Sequence, residues 1–93
     1  LETRRALTDA EAAAVADAIR RFHEAGVLHG DLNAMNILLA PEGASLIDID
    51  KSKRYNALTH AQRRANLDRL ARSFRKKSLP QSAFAAIVKA YGP

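Results

Sequence analysis

Around residues 37 to 50 the chain interrupts a pattern that is otherwise helical. Ile37-Leu38-Leu39 is a short apolar run, and Leu46 to Asp50 alternates Leu46, Asp48 and Asp50 with Ile47 and Ile49. Both read as strands, because successive side chains on a strand point to opposite faces. Ala40-Pro41-Glu42-Gly43 between them has proline second and glycine fourth, the preferences of a type I turn. A hairpin is therefore predicted, and its register has a consequence. Folding about residues 41 to 43 sets Asn36 opposite Asp48 to within one residue, at roughly 5 Å between Cβ atoms for directly facing positions. An amide and a carboxylate then meet at the open end of the ladder.

The flanking segments read as helices. Thr8-Asp9-Ala10-Glu11 has the form of a capping box, in which the Thr8 hydroxyl and the Glu11 carboxylate each satisfy an orphan amide. Ala12, Val15, Ile19 and Phe22 then recur at helical spacing as a buried stripe, Asp17, Arg20, Arg21 and Glu24 fall largely elsewhere, and Gly26 supplies the stop. Thr59 with Gln62 forms a second capping box. It opens a helix over about residues 60 to 77, with Leu67, Leu70, Ala71 and Phe74 inward and Arg63, Arg64, Arg69, Arg72, Arg75, Lys76 and Lys77 on its other faces. Pro80 opens a last helix carrying Phe84, Ile87, Val88 and Tyr91, which Gly92 and Pro93 end. The fold class expected is α+β, mostly helical, with one small β-hairpin.

With 93 residues, 47% of them hydrophobic, the chain suffices for one domain or one piece of a larger one. It starts at Leu1 rather than methionine, with no hydrophobic run through Thr8, so a fragment of a longer protein is expected. Fifteen Lys+Arg stand against ten Asp+Glu, and the excess lies almost wholly after Asp50. That balance suits an anionic partner such as nucleic acid, a membrane surface or a phosphorylated substrate; it equally suits a solvated helix face. The absence of cysteine excludes disulfides, thiolate chemistry and Cys-based metal sites. No apolar run approaches the ~20 residues a membrane span requires.

Asp31, Asn36 and Asp48 are three oxygen-bearing side chains that a loop and a hairpin bring to one edge. Phosphoryl transfer needs such a set. One carboxylate accepts the proton of the attacking hydroxyl, while an amide oxygen and a second carboxylate hold Mg²⁺ against nucleotide phosphates, hard ligands for a hard cation. His29-Gly30-Asp31-Leu32, three residues, then Asn36 resembles the kinase catalytic loop H-R-D-L-x-x-x-N, and Leu46-Ile47-Asp48-Ile49-Asp50 stands where the metal-binding D-F-G segment should come. The resemblance implies the C-terminal lobe of a protein-kinase-like fold over residues 1–93, with the N-terminal lobe absent.

The departures narrow the family. Gly30 replaces the arginine that reads a phosphorylated activation loop in many protein kinases, and Asn33 stands where serine/threonine kinases usually have lysine. Only ten residues separate Asp48 from Thr59, without A-P-E, too few for a peptide-docking segment. A small-molecule acceptor fits better. "RRFHEAGVLHGDLNAMNILL", "LIDIDKSKR" and "NLDRLARSFRK" together resemble the Kdo (3-deoxy-D-manno-octulosonic acid) kinases of the lipopolysaccharide kinase family, from about Ile19 to Lys76. The family more often has Ala and Phe where this chain has Gly30 and Ile49; neither exchange removes a reacting group.

The resemblance implies ATP-dependent phosphorylation of the Kdo 4-hydroxyl on a lipid A precursor, on the cytoplasmic face of the bacterial inner membrane. By matching position Asp31 is then the catalytic base, and Asn36 and Asp48 bind the cofactor as ligands of Mg²⁺. Heptose kinases and aminoglycoside-type phosphotransferases, with a similar H-G-D loop, are the alternatives within this class. The 93 residues alone are expected to be inert, because they contain no Gly-rich phosphate loop and no Ala-x-Lys strand lysine.

The other polar residues divide between site and scaffold. His29 is assigned to packing and backbone hydrogen bonding, and His23 and His60 to ordinary helix positions. Asp50 either faces the same way as Asp48, caps the next turn, or pairs with Lys51, Lys53 or Arg54. Asn66, Arg69 and Ser73 share one helix face and are expected to hold the catalytic loop from below, with substrate contact the alternative. The basic helix either faces solvent or meets anionic lipid headgroups. A nucleic-acid-binding module is the reading from another class; few aromatics and no recognised binding motif count against it, and no nucleic-acid partner is expected.

Overall fold

The computed structural model describes residues 7–92. Pro93, expected to help end the last helix, lies outside them. Among the described residues there are three α-helices, α1 (Asp9–Glu24), α2 (His60–Lys76) and α3 (Gln81–Tyr91), and four short strands: β1 (Val27–Leu28), β2 (Ile37–Ala40), β3 (Gly43–Leu46) and β4 (Lys53–Arg54). The architecture is the expected mostly helical α+β arrangement.

Both capping boxes form. Thr8 Oγ1 accepts from the Glu11 amide at 3.1 Å while Glu11 Oε1 accepts from the Thr8 amide at 2.9 Å, and Thr59 and Gln62 repeat the pattern at 3.1 and 2.9 Å. Each satisfies two of the amides that a helix start leaves without partners. Gly26 ends α1 with φ +78°, where a Cβ would overlap the carbonyl oxygen of Tyr55. Helix α2 ends differently. Ser78 adopts φ 56°, its amide reaches the Arg75 carbonyl at 3.1 Å and that of Leu79 reaches the Phe74 carbonyl at 2.9 Å. This is a Schellman closure with serine where glycine is usual.

The core joins α1, α2, α3 and the hairpin through Val15, Ile19, Leu32, Ile37, Leu70, Phe74 and Ile87, all fully buried. Each large aliphatic or aromatic side chain so buried stabilises by about 1.5–3 kcal/mol. The seams differ from expectation in detail. On α1 the buried row is Ala12, Val15, Ala16, Ile19 and His23, with Phe22 only partly covered. His23 holds its place because both ring nitrogens find partners. On α2 Asn66 is buried and Leu67 half-buried; on α3 the inward residues are Ala83 and Ile87, with Phe84 and Tyr91 at the margin and Val88 exposed. Alanines share these seams with Val15, Ile19, Phe74 and Ile87, while Phe22, Phe84 and Tyr91 lie at the edges.

The hairpin pairs β2 with β3 antiparallel, Ile37 opposite Leu46 through Ala40 opposite Gly43. One more ladder bond, from the Ile47 amide to the Asn36 carbonyl at 2.9 Å, sets Asn36 beside Asp48 to within one residue, as the register argument requires. The second strand begins and ends earlier than its alternation suggests. It covers Gly43–Leu46, and Ile49–Lys51 forms a 3₁₀ turn. Asp48 is left-handed, φ 61° and ψ 50°, a conformation incompatible with continuing a strand. Asp50 is thus on a turn and does not share a strand face with Asp48. A second ladder, unforeseen in the sequence, pairs Val27 with Arg54 and Leu28 with Lys53.

Candidate functional site

The loop from His29 to Asn36 is held by its own polar groups and by α2. Asn33 caps the 3₁₀ turn Ala34–Asn36 by accepting from the Met35 amide at 2.8 Å, and donates to the Asp31 carbonyl at 3.2 Å. Asn36, 7% exposed, donates its Nδ2 to the same Asp31 carbonyl at 2.7 Å. That bond directs the amide nitrogen inward and leaves Oδ1 for another partner. Asp31 itself is at the surface, its carboxylate about half exposed.

His29 is the clasp of this loop. Its buried ring accepts the Asp31 amide at Nδ1, 3.0 Å, and meets the Ile47 carbonyl at Nε2, 2.9 Å. An acceptor at Nδ1 and a carbonyl at Nε2 put the ring proton on Nε2. One neutral imidazole therefore ties the backbone of Asp31 to the residue preceding Asp48. The structural assignment of His29 holds.

Helix α2 braces the loop through the face that carries Asn66, Arg69 and Ser73. Asn66 Nδ2 donates to the His29 carbonyl at 3.0 Å, and the Ala34 amide donates to Ser73 Oγ at 2.9 Å. Arg69 Nη1 lies 3.4 Å from Asp31 Oδ1. The amide orientation of Asn66 turns Oδ1 toward His23 Nε2, 2.9 Å, and His23 Nδ1 meets the Tyr91 hydroxyl at 2.7 Å. A continuous chain of bonds thus runs from Tyr91 on α3 through His23, Asn66 and His29 to Asp31. Burial pushes the His23 pKa below its ordinary value; the Asn66 bond opposes this and the Arg63 charge adds to it. No local pattern marks this chain in the sequence, although the spacing of Asn66, Arg69 and Ser73 marks its lower end.

Asp48 is exposed, in a backbone region rare for residues other than glycine, and its carboxylate makes no capping bond to the turn that follows. Such strain persists where neighbouring structure enforces it, and it gathers at functional sites. Gly30 is enforced too: a Cβ there would overlap the Lys51 carbonyl oxygen, so the 49–51 turn packs directly on the loop and alanine requires that turn to move. Asp31, Asn36 and Asp48 are therefore linked through one backbone network. Among the described residues no group of three His, Cys, Asp or Glu side chains forms a self-sufficient metal site. Two protein oxygens completed by phosphate and water match the usual mode of Mg²⁺, and the uncommitted oxygens of Asn36 and Asp48 fit it.

Helix, clasped loop, hairpin and bracing helix follow one another in that order along the chain. The lipopolysaccharide kinase (Kdo/WaaP) family model matches residues 2–91, and the chain belongs to that family. Among its relatives, the 3-deoxy-D-manno-octulosonic acid kinase of Vibrio vulnificus (strain YJ016) is 43% identical over 65 residues, covering 69% of this chain and 27% of the relative. The enzyme of the same name from Xylella fastidiosa (strain M12) is 49% identical over 59 residues, 62% of this chain and 23% of that protein. That from Photobacterium damsela subsp. piscicida is 43% identical over 60 residues, 63% and 24%. The chain spans about a quarter of the length of the curated relatives it matches.

Proposed function

We propose that this chain is the catalytic-loop part, in a protein-kinase-like C-terminal lobe, of an ATP-dependent Kdo kinase. Its acceptor is the 4-hydroxyl of a Kdo sugar on a lipid A precursor. The observation that carries the reading is the clasp of His29, which binds the Asp31 amide and the Ile47 carbonyl together and so couples a carboxylate to a metal-ligand pair. The shared name of the relatives supports the choice of acceptor.

In this scheme the Kdo hydroxyl oxygen bonds to the terminal phosphorus of ATP as the bond to the bridging oxygen breaks. The hydroxyl proton passes to the Asp31 carboxylate, and ADP leaves. Asn36 Oδ1 and the Asp48 carboxylate would hold Mg²⁺, whose charge would offset that of the phosphate oxygens. Met35, Leu38, Ile47 and Ile49, all substantially exposed, belong to the segment that carries these ligands, and form apolar surface for the nucleotide base or the rest of the protein to cover.

The remainder of the nucleotide clamp, a glycine-rich loop and a strand lysine, is assigned to an N-terminal lobe of the longer protein. Among the described residues no helix is long and apolar enough to cross a membrane. The exposed Arg64, Arg72, Arg75 and Lys76 on α2, with Lys77 at its C-cap, support peripheral attachment to an anionic bilayer at the cytoplasmic face of the inner membrane.

The test is phosphate transfer from ATP to Kdo-bearing lipid A precursor by the intact protein, beside the same lipid extended by heptose. Asp31→Asn is expected to lower the rate by about 10²-fold or more. An undiminished rate in Asp31→Asn rejects the base, and transfer to heptose alone rejects the acceptor.

A further inference from the structure

The loop that carries Asp31 contains no lysine or arginine. His29-Gly30-Asp31-Leu32-Asn33-Ala34-Met35-Asn36 has only the buried His29, and Asn33 is spent on capping and on the Asp31 carbonyl. A transferring phosphoryl group nevertheless needs fixed positive charge beside the base, since its equatorial oxygens carry most of the negative charge of the transition state. The tertiary structure sets Lys51 on the turn packed against Gly30, and sends a second cation to the carboxylate itself. Arg69, from α2, stands 3.4 Å from the Asp31 carboxylate, and among the described residues it is the cation that pairs with a candidate site residue.

Its neighbours on the same helix face make bracing an incomplete account of Arg69. Asn66 and Ser73 already hold the loop, through good bonds to the His29 carbonyl and the Ala34 amide at 3.0 and 2.9 Å. Arg69 reaches past the backbone to the carboxylate instead. Its bond is long, both side chains are about half exposed, and an open pair of this kind is weak. A guanidinium has five N–H donors in a rigid fork matched to phosphate oxygens, and this contact occupies one of them. A loose pair of this kind yields to a stronger anion.

We infer that Arg69 is a phosphate-binding residue of this site, resting on Asp31 until the nucleotide enters and then holding the terminal phosphate in line with the acceptor. It supplies from α2 the positive charge that the loop lacks. The inference rests on the phosphotransfer reading above.

The test uses the intact protein and calorimetric binding of MgATP and MgADP to wild type, Arg69→Ala, Arg69→Gln and Arg69→Lys. Loss of the guanidinium is expected to weaken MgATP by ~10-fold or more and MgADP by less than ~2-fold, because only the terminal phosphate is lost as a partner. Turnover in Arg69→Ala should fall ~10²-fold or more and recover in part with free guanidinium, with Arg69→Lys intermediate. Equal losses for the two nucleotides, or none, overturn the inference and leave Arg69 a structural ion pair; Arg69→Gln carries the comparison if the alanine variant does not fold. Asp31→Asn separates the two claims. Full transfer activity in that variant rejects the base, whereas an inactive Asp31→Asn beside an Arg69→Ala that binds MgATP normally rejects the role of Arg69 alone.

Discussion

Asn66 donates its side-chain amide to the carbonyl of His29 at 3.0 Å, and this bond couples the interior of the helical layer to the loop that carries Asp31. Both residues are buried. These two, among four buried polar side chains, are tolerated because each finds partners: Asn66 bridges the His23 ring and the His29 carbonyl, and the His29 ring bridges Asp31 and Ile47.

Asn66→Ala should therefore cost far more than its small volume change. It leaves the His29 carbonyl and the His23 Nε2–H without their partners, and each buried orphan costs about 1–3 kcal/mol. A loss of about 2–4 kcal/mol in urea denaturation is expected, at an unchanged m-value. A loss under about 1 kcal/mol would mean that other groups or water replace the amide without penalty.

Stability should fall on the acid side because of His23. Its pKa is held below 6.5, first by burial, so the unfolded chain takes up a proton at that position before the folded one does. With more protons on the unfolded state, the contribution of neutral, buried His23 is complete above 6.5 and is lost as pH falls toward the depressed folded value. The slope is at most about 1.4 kcal/mol per pH unit. Thermal melts from about pH 7.5 to 5.5 should show a steeper decline for the wild type than for His23→Gln, which has no group to titrate there. Parallel declines would refute the assignment.

Ser78→Gly should stabilise the chain. Ser78 holds the left-handed position of the α2 Schellman closure, φ 56°, where a side chain clashes mildly with the backbone and glycine does not. The relief is partly offset by the greater freedom of glycine in the unfolded chain, leaving a net gain of about 0.5–1 kcal/mol, or roughly 2–8 °C in melting temperature. A lower melting temperature would show that the Ser78 hydroxyl makes a contribution larger than the strain.

Much of the helical framework was legible in the residues alone. The two capping boxes, the stop at Gly26, the helices before and after the loop, and the hairpin around Pro41 and Glu42 all follow from neighbours within four positions or from a simple period. The order Asp31, Asn36, Asp48 was legible for the same reason, since a hairpin converts sequence spacing into register. The extent of the second strand was not: alternation at Leu46 to Asp50 mimics a strand, but the chain turns left-handed at Asp48 and the 49–51 turn packs against Gly30.

By itself, then, the sequence determined the local elements, through short-range hydrogen bonds and periodic apolar positions, and the order of Asp31, Asn36 and Asp48, the residues proposed to carry phosphotransfer. Only the tertiary structure decided that His23 rather than Phe22 enters the α1 seam, that β1 finds β4, and that Asn66, Arg69 and Ser73 meet His29, Asp31 and Ala34. The reason is distance along the chain. The last three contacts span 37, 38 and 39 residues, and a polar side chain has no preference for such a remote partner until packing of the apolar core brings the two together.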